Sequence, residues 1–228
     1  MTQAIDTLLF DVNETLLDLE ALTPLFSRIF GREEAMREWF AQQVLYSQAL
    51  TLSHRYAPFN ELAAGTLRML GEIHGVTVSS EDMDEIRAGM SLLPPHPEAA
   101  EALARLKGAG FRLATLTNSP PSPGSSPLEK AGLSGYFEQM FSVHQWQRFK
   151  PAPEPYRGVA QAMQVELSSM CLVAAHTWDT LGAQSLGSAG ALVTRGANAP
   201  LAVKGVPQPD IVVKDLKELA DSVLRVWR

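Results

Sequence analysis

Short, mainly apolar runs recur along this chain with helical stretches between them, and that alternation narrows the fold more than any other feature. The runs fall at 7–12, 112–117, 170–175, 191–194 and 210–213. Each has the length and largely apolar character of a strand buried on both faces of a sheet. Ala and Leu recur at helical spacing over 97–109, with Gly110 just past the end, and further helical stretches fall at 155–163, 180–186 and 216–227. Strands alternating with helices predict an α/β fold built on a doubly wound parallel sheet. Residues 18–93 break the alternation. They read as consecutive helices over 19–30, 33–50, 59–74 and 80–92, the last opening on Ser80 with Glu81 and Asp82 in its first turn. Pro94-Pro95-His96-Pro97 then marks the return to the sheet. The predicted organisation is a core of 1–17 and 94–228 carrying a helical insert of 18–93. The Pro/Ser-rich stretch 120–127 reads as a loop inside the core, because strand and helix texture continues beyond it.

Composition removes several classes of function. The 228 residues are 46% apolar and 19% charged, enough for a large core. A net charge of −6 argues against a general nucleic-acid binder, which would need a basic face. No apolar run approaches the length of a membrane span, and the first apolar stretch lacks a preceding basic segment, so it reads as a strand and not a signal peptide. A single cysteine, Cys171, excludes an intrachain disulfide. It lies in an apolar run and reads as a small buried hydrophobe. These features together predict a cytoplasmic protein.

In open parallel sheets, ligands bind beyond the carboxyl ends of the strands. That rule selects Asp11 to Thr15, Thr117-Asn118-Ser119 and His176 to Asp179. It adds Lys150 if 140–143 is a further strand leading into its loop. Asp11 suits a nucleophile, since a carboxylate that is desolvated and aimed can form an ester that water later hydrolyses. Thr15 could cap the next helix or hydrogen-bond Asp11, and the two roles are compatible. The prolines of Lys150-Pro151-Ala152-Pro153-Glu154-Pro155-Tyr156 would stiffen the segment and present the Lys150 ammonium beside Asp11, holding it ionised. Asp179 could act in such a site or merely cap the helix after it.

Four segments in this order, Phe10-Asp11 with Thr15-Leu16, Thr117-Asn118, Lys150-Pro151 with Tyr156, and Trp178-Asp179, resemble the motifs of the haloacid dehalogenase superfamily. More narrowly they are similar to the L-2-haloacid dehalogenases, the type II enzymes, over almost the whole chain. The resemblance implies a Rossmann-like core with a helical cap and Asp11 as nucleophile. Lys150 would be its partner and Asp179 would act near the lysine and the hydrolytic water. Thr117 would touch the substrate carboxylate, Asn118 would help hold the departing halide, and backbone N–H groups at Val12 and Asn13 would add anion contacts. Trp178, Phe59, Phe40 and Tyr156 would line the pocket. No cofactor or metal is implied. The expected partners are a short 2-haloacid and the halide product, and the family precedent suggests a homodimer.

Most members of that superfamily are magnesium-dependent phosphatases whose first motif resembles Asp-x-Asp, the second Asp serving as acid toward the leaving group. Here that position is Asn13, and Ala175 stands where a further carboxylate is usual. A halide leaves unprotonated, so these absences favour carbon–halogen chemistry. Other departures bear on the substrate. Phe40 occupies the place of the arginine that receives the halide, a role for which Arg55 or His54 could substitute. His176 replaces an asparagine, Ala174 replaces a serine, and Asn13 and Glu14 stand where an aromatic and a glycine are usual. His176 could contact water or Lys150, replace the amide structurally, or serve as base for ester hydrolysis. The expected reaction is attack of Asp11 on C2 of a 2-haloacid, giving an ester, halide and an inverted 2-hydroxy acid. The alternatives are a phosphatase-type hydrolase with a degraded magnesium site, or a non-catalytic binding protein on the same fold.

Overall fold

The computed structural model describes residues 4–122, 124–196 and 198–228; Pro123, in the Pro/Ser-rich loop, lies outside them. Six parallel strands form one sheet in the order β3-β2-β1-β4-β5-β6. They are β1 (Thr7–Phe10), β2 (Arg112–Thr117), β3 (Gln139–Ser142), β4 (Met170–Ala174), β5 (Ala189–Val193) and β6 (Ile211–Val213). β1 pairs on one side with β2 and on the other with β4, with Phe10 opposite Thr115 and Val173. The strand order reverses there, so the crevice beyond β1 is the topological switch point where such sheets bind ligands. Side chains alternate between the two faces as a pleated strand requires. Leu8, Phe10, Cys171 and Val173 join one apolar cluster, while Leu9, Leu172 and Ala174 join the other. Cys171 is fully buried, as its apolar run implies.

Between β1 and β2 the chain forms α1 (Thr23–Phe30), α2 (Glu34–Leu52), α3 (Phe59–His74) and α4 (Ser80–Ser91), then α5 (Ala99–Gly108), which leads into β2. The single helix expected over 19–30 is a 3-10 turn, Leu19–Leu22, followed by α1. Pro24 in the first turn of α1 explains the break, since it has no N–H to continue a helix from upstream. α4 is capped one residue earlier than Ser80. The Ser79 hydroxyl accepts from Asp82 N at 3.1 Å while Asp82 accepts from Ser79 N at 3.0 Å, a reciprocal box. α5 ends where expected, with Gly110 in the left-handed region at φ 87. Trp39 anchors α2 against Phe26 at 5.0 Å between ring centres, with its indole N–H on Ala63 O at 2.9 Å. The outgoing and returning crossings are tied together: Asp18 N donates to Pro94 O at 2.8 Å and His96 N to Leu16 O at 3.0 Å.

The remaining helices are a single turn, α6 (Pro127–Lys130), then α7 (Pro153–Met163), α8 (Thr177–Gln184) and α9 (Leu216–Trp227). α8 starts three residues before the 180–186 stretch read from sequence. Asp179 therefore lies inside its first turn, where the helix dipole favours an acid, and does not cap it. No helix among the described residues is long and apolar enough to cross a membrane.

Candidate active site

Asp11 follows β1 directly, its N–H still bonded to Val173 O at 2.9 Å, and its side chain leaves the ladder at the switch point. The residue is 5% exposed. Lys150 is wholly buried, and its Nζ donates to Asp11 Oδ1 at 2.8 Å, Asp179 Oδ2 at 2.5 Å and Leu116 O at 2.9 Å. An ammonium has three protons, so these three acceptors use it completely. Thr15 Oγ1 accepts from Ala175 N at 2.8 Å, which aims its own proton at Asp11 Oδ2, 2.7 Å away. The loop before α7 delivers Lys150, and Asn118 Oδ1 fixes it by accepting from Lys150 N at 3.1 Å.

Electrostatics follow from this packing. Burial alone would push Asp11 up, but Lys150 and then His176 outweigh it and hold the carboxyl below its ordinary range. Burial would lower Lys150; Asp11 and Asp179 keep it raised and cationic. For Asp179, burial wins over Lys150 and the carboxyl is pushed up. Two carboxylates share one lysine, and Asp11 is the better ionised of the two.

Other expected residues fall into place unevenly. Tyr156, expected against the substrate, is buried with its hydroxyl on Asp179 Oδ1 at 2.6 Å, so it holds the carboxylate and not a ligand. Thr117 Oγ1 accepts from Ser119 N at 3.1 Å in the turn after β2. Val12, Asn13 and Thr117 line a cavity of about 440 Å³. Asn13, Gln43, Phe59 and Ser119 line a neighbouring one of about 690 Å³ between core and cap. Asn13 and Ser119 border both, joined by an Asn13 Nδ2 to Ser119 Oγ bond of 3.3 Å. Asp11 lines neither cavity and precedes Asn13, which borders both, by two positions in the chain. Phe59 also packs on Phe149 at 5.8 Å. Arg55 and His54, offered as stand-ins for the missing arginine, are exposed, and His54 Nδ1 lies 2.8 Å from Arg148 Nη2. The turn after α2 carries them outward, so neither reaches the site. Among the described residues no group of three or more His, Cys, Asp or Glu side chains is arranged to hold a metal.

Two residues given no role in the sequence reading, Glu14 and Arg37, enter the site. Glu14, 2% exposed, takes up His176 Nε2 on Oε2 at 2.7 Å and the Arg37 guanidinium on Oε1. Arg37 comes from α2 and also reaches Glu20. His176 turns its Nδ1 toward Asp11 Oδ2, 3.7 Å away, an ion contact and too long for a hydrogen bond. That Nδ1 is buried and has no hydrogen-bond partner. The ring lies against Trp178 at 5.1 Å and Phe40 at 5.5 Å. Burial disfavours the imidazolium, yet Asp11 and Glu14 raise His176 to about 9. Two sequence features are consistent with these contacts, though neither identifies them alone. Glu14 fills a place where glycine is usual, and Arg37 lies one turn before Phe40 on the same helix face.

A model of the haloacid dehalogenase-like hydrolases matches residues 5–187. The chain is 29% identical over 219 residues to (S)-2-haloacid dehalogenase 1 from Pseudomonas sp. (strain CBS-3), covering 95% of this chain and 96% of that protein. It is 30% identical over 222 residues to an (S)-2-haloacid dehalogenase from Xanthobacter autotrophicus, covering 93% of this chain and 85% of that one. The fold is also similar to the structure of L-2-haloacid dehalogenase from Xanthobacter autotrophicus with chloropropionic acid covalently bound. The TM-score is 0.86 at 26% identity, over 98% of this chain and 100% of that one.

Proposed function

Because the chain belongs to the haloacid dehalogenase-like hydrolases, we propose that it hydrolyses the carbon–halogen bond of 2-haloalkanoic acids, with Asp11 as nucleophile. The observation that carries this reading is the buried Asp11–Lys150–Asp179 cluster beside Asn13. A carboxylate stripped of water and kept ionised by a lysine is a competent nucleophile toward an alkyl halide. No acidic group stands at position 13 to protonate an oxygen leaving group, and a halide needs none. One Asp11 oxygen attacks C2 in line, the carbon–halogen bond breaks, and the halide departs with the bonding pair. Water then attacks the Asp11 side-chain carbonyl carbon, which leaves the configuration at C2 inverted in the 2-hydroxy acid. Thr15 and Lys150 hold the carboxylate in position for attack.

Halide release from (S)-2-chloropropionate in the presence of a chelator tests the reading. Asp11→Asn is expected to abolish release, with fold and stability retained by circular dichroism. Phosphate release from p-nitrophenyl phosphate only when magnesium is added, with no halide release, would overturn it.

A further inference from the structure

We infer that His176 is the base that activates water for hydrolysis of the Asp11 ester, and that Glu14, clamped by Arg37 of the cap, is its positioning residue. The inference rests on the ester route proposed above and assigns the water-activating group within it.

The first observation is conformational. Glu14 has φ 69, in the left-handed region that a side chain enters at a cost of about 1–2 kcal/mol. It is also 2% exposed. A buried glutamate in a glycine conformation needs partners that hold it there, and the structure supplies them. Its side chain is bonded to His176 and Arg37, its carbonyl takes His96 Nε2 at 3.0 Å, and its N–H donates to Leu17 O at 2.8 Å. Strain held in place at a site is a mark of function.

The second observation is orientation. Glu14 engages Nε2, so the ring cannot turn, and Nδ1 is left buried, unpartnered and 3.7 Å from the nucleophile. Asp179 is less suited to activate water, because Lys150 and Tyr156 occupy its two oxygens while His176 Nδ1 has no hydrogen-bond partner.

The third is charge. The ionisable groups around His176 are Asp11 and Glu14 in contact, Arg37 and His96 behind Glu14, and Lys150 with Asp179 behind Asp11. In the free protein two carboxylates face the imidazolium. Alkylation turns Asp11 into a neutral ester, so one of them is lost while burial still disfavours the cation. His176 then releases its Nδ1 proton to solvent and becomes a base. Nδ1 next takes a proton from water as the water oxygen bonds to Asp11 Cγ. The tetrahedral oxyanion collapses, the bond from Cγ to the substrate oxygen breaks, and the departing 2-alkoxide recovers the proton from Nδ1. The carboxylic acid left on Asp11 passes its proton to Nδ1, restoring the starting ion pair. One water is consumed, and the 2-hydroxy acid, halide and one proton are released.

Rapid-quench single turnovers with (S)-2-chloropropionate separate the two steps, with halide release reporting ester formation and intact mass reporting the ester. In His176→Asn the ester should accumulate, its decay slowed at least ~100-fold, while halide release changes by less than about tenfold. In wild type, ester decay should rise with pH through the ionisation of His176. Glu14→Gln should move that limb to lower pH by about one unit or more, a shift that a merely structural role would not produce. Ester decay in His176→Asn at the wild-type rate, loss of halide release in that variant, or an unmoved limb in Glu14→Gln would each overturn the inference while leaving Asp11 as nucleophile. Absence of both halide and ester from wild type would bring down the dehalogenase reading and this inference with it.

Discussion

Replacing Lys150 with methionine removes the charge that two buried carboxylates share while filling most of the volume of the side chain. Lys150 and Asp179 have no exposed surface, and the Asp11 side chain has 8%. Breaking a buried ion pair from one side costs about 3–5 kcal/mol, because the remaining charge keeps its desolvation penalty without its attraction. The freed Leu116 carbonyl, bonded to Nζ at 2.9 Å, adds about 1–3 kcal/mol unless water reaches it. Lys150→Met should therefore lose at least 3 kcal/mol in urea unfolding near neutral pH, by the first of these costs alone. Its pH dependence carries the sharper signature. Without the lysine, burial raises Asp179 further in the folded state than in the unfolded chain. A carboxyl raised on folding adds stability that is fully present below its unfolded value near 3.9 and is lost as pH rises through the folded one. The variant should thus regain stability as pH falls from neutral toward the unfolded carboxyl value. Adding Asp179→Asn should recover part of the loss at neutral pH, with a coupling of at least ~1 kcal/mol. A Lys150→Met protein within 1 kcal/mol of wild type, or strictly additive single and double variants, would refute the view that these three groups form one charge-compensated unit.

Two further outcomes follow from the packing around this unit. A Cβ on Gly182, one turn after Asp179 in α8, would meet Pro151 Cβ at 2.5 Å and the Tyr156 hydroxyl at 2.8 Å; Gly182→Ala should cost about 1–3 kcal/mol of stability and lower halide release at least tenfold by displacing Asp179, as thermal melts and turnover assays would read. His176, raised to about 9 in the fold from an ordinary 6.5, contributes stability that is complete below 6.5 and is lost as pH rises through 9; urea unfolding should show wild type losing on the order of 3 kcal/mol across that window, and His176→Asn should lose that component.

Much of the scaffold is readable from the chain alone because its signals are local. The runs that become β1, β2, β4, β5 and β6 are short and mainly apolar, and the helical insert breaks their rhythm visibly. Boundaries shift where a long-range contact decides them. Asp11 and Val12 leave the expected first strand because the Asp11 side chain is drawn to Lys150, 139 positions away. α8 begins at Thr177 because Asp179 can satisfy the helix dipole while reaching Lys150 and Tyr156. Asp11, Thr15, Lys150 and Asp179 are legible because each follows a strand or a stiff proline segment in a recognisable order. Glu14 and Arg37 are not. Glu14 reads as one more loop acid, and Arg37 as one of several charges on the surface of α2. Their meaning comes from a contact between residues 23 positions apart and another between residues 162 apart. Tyr156 is the intermediate case: its position is evident from the motif, but only the packing of α7 on α8 shows that its hydroxyl serves Asp179.

The account turns on Asp11 forming a bond to the substrate carbon, and oxygen labelling tests this most directly. A single turnover of excess protein with (S)-2-chloropropionate in ¹⁸O-water should give product whose new hydroxyl is unlabelled, since that oxygen comes from Asp11. The label should appear in the peptide that contains Asp11. A labelled hydroxyl in the first-turnover product, with no label on that peptide, would mean that water attacks C2 directly and would contradict the account.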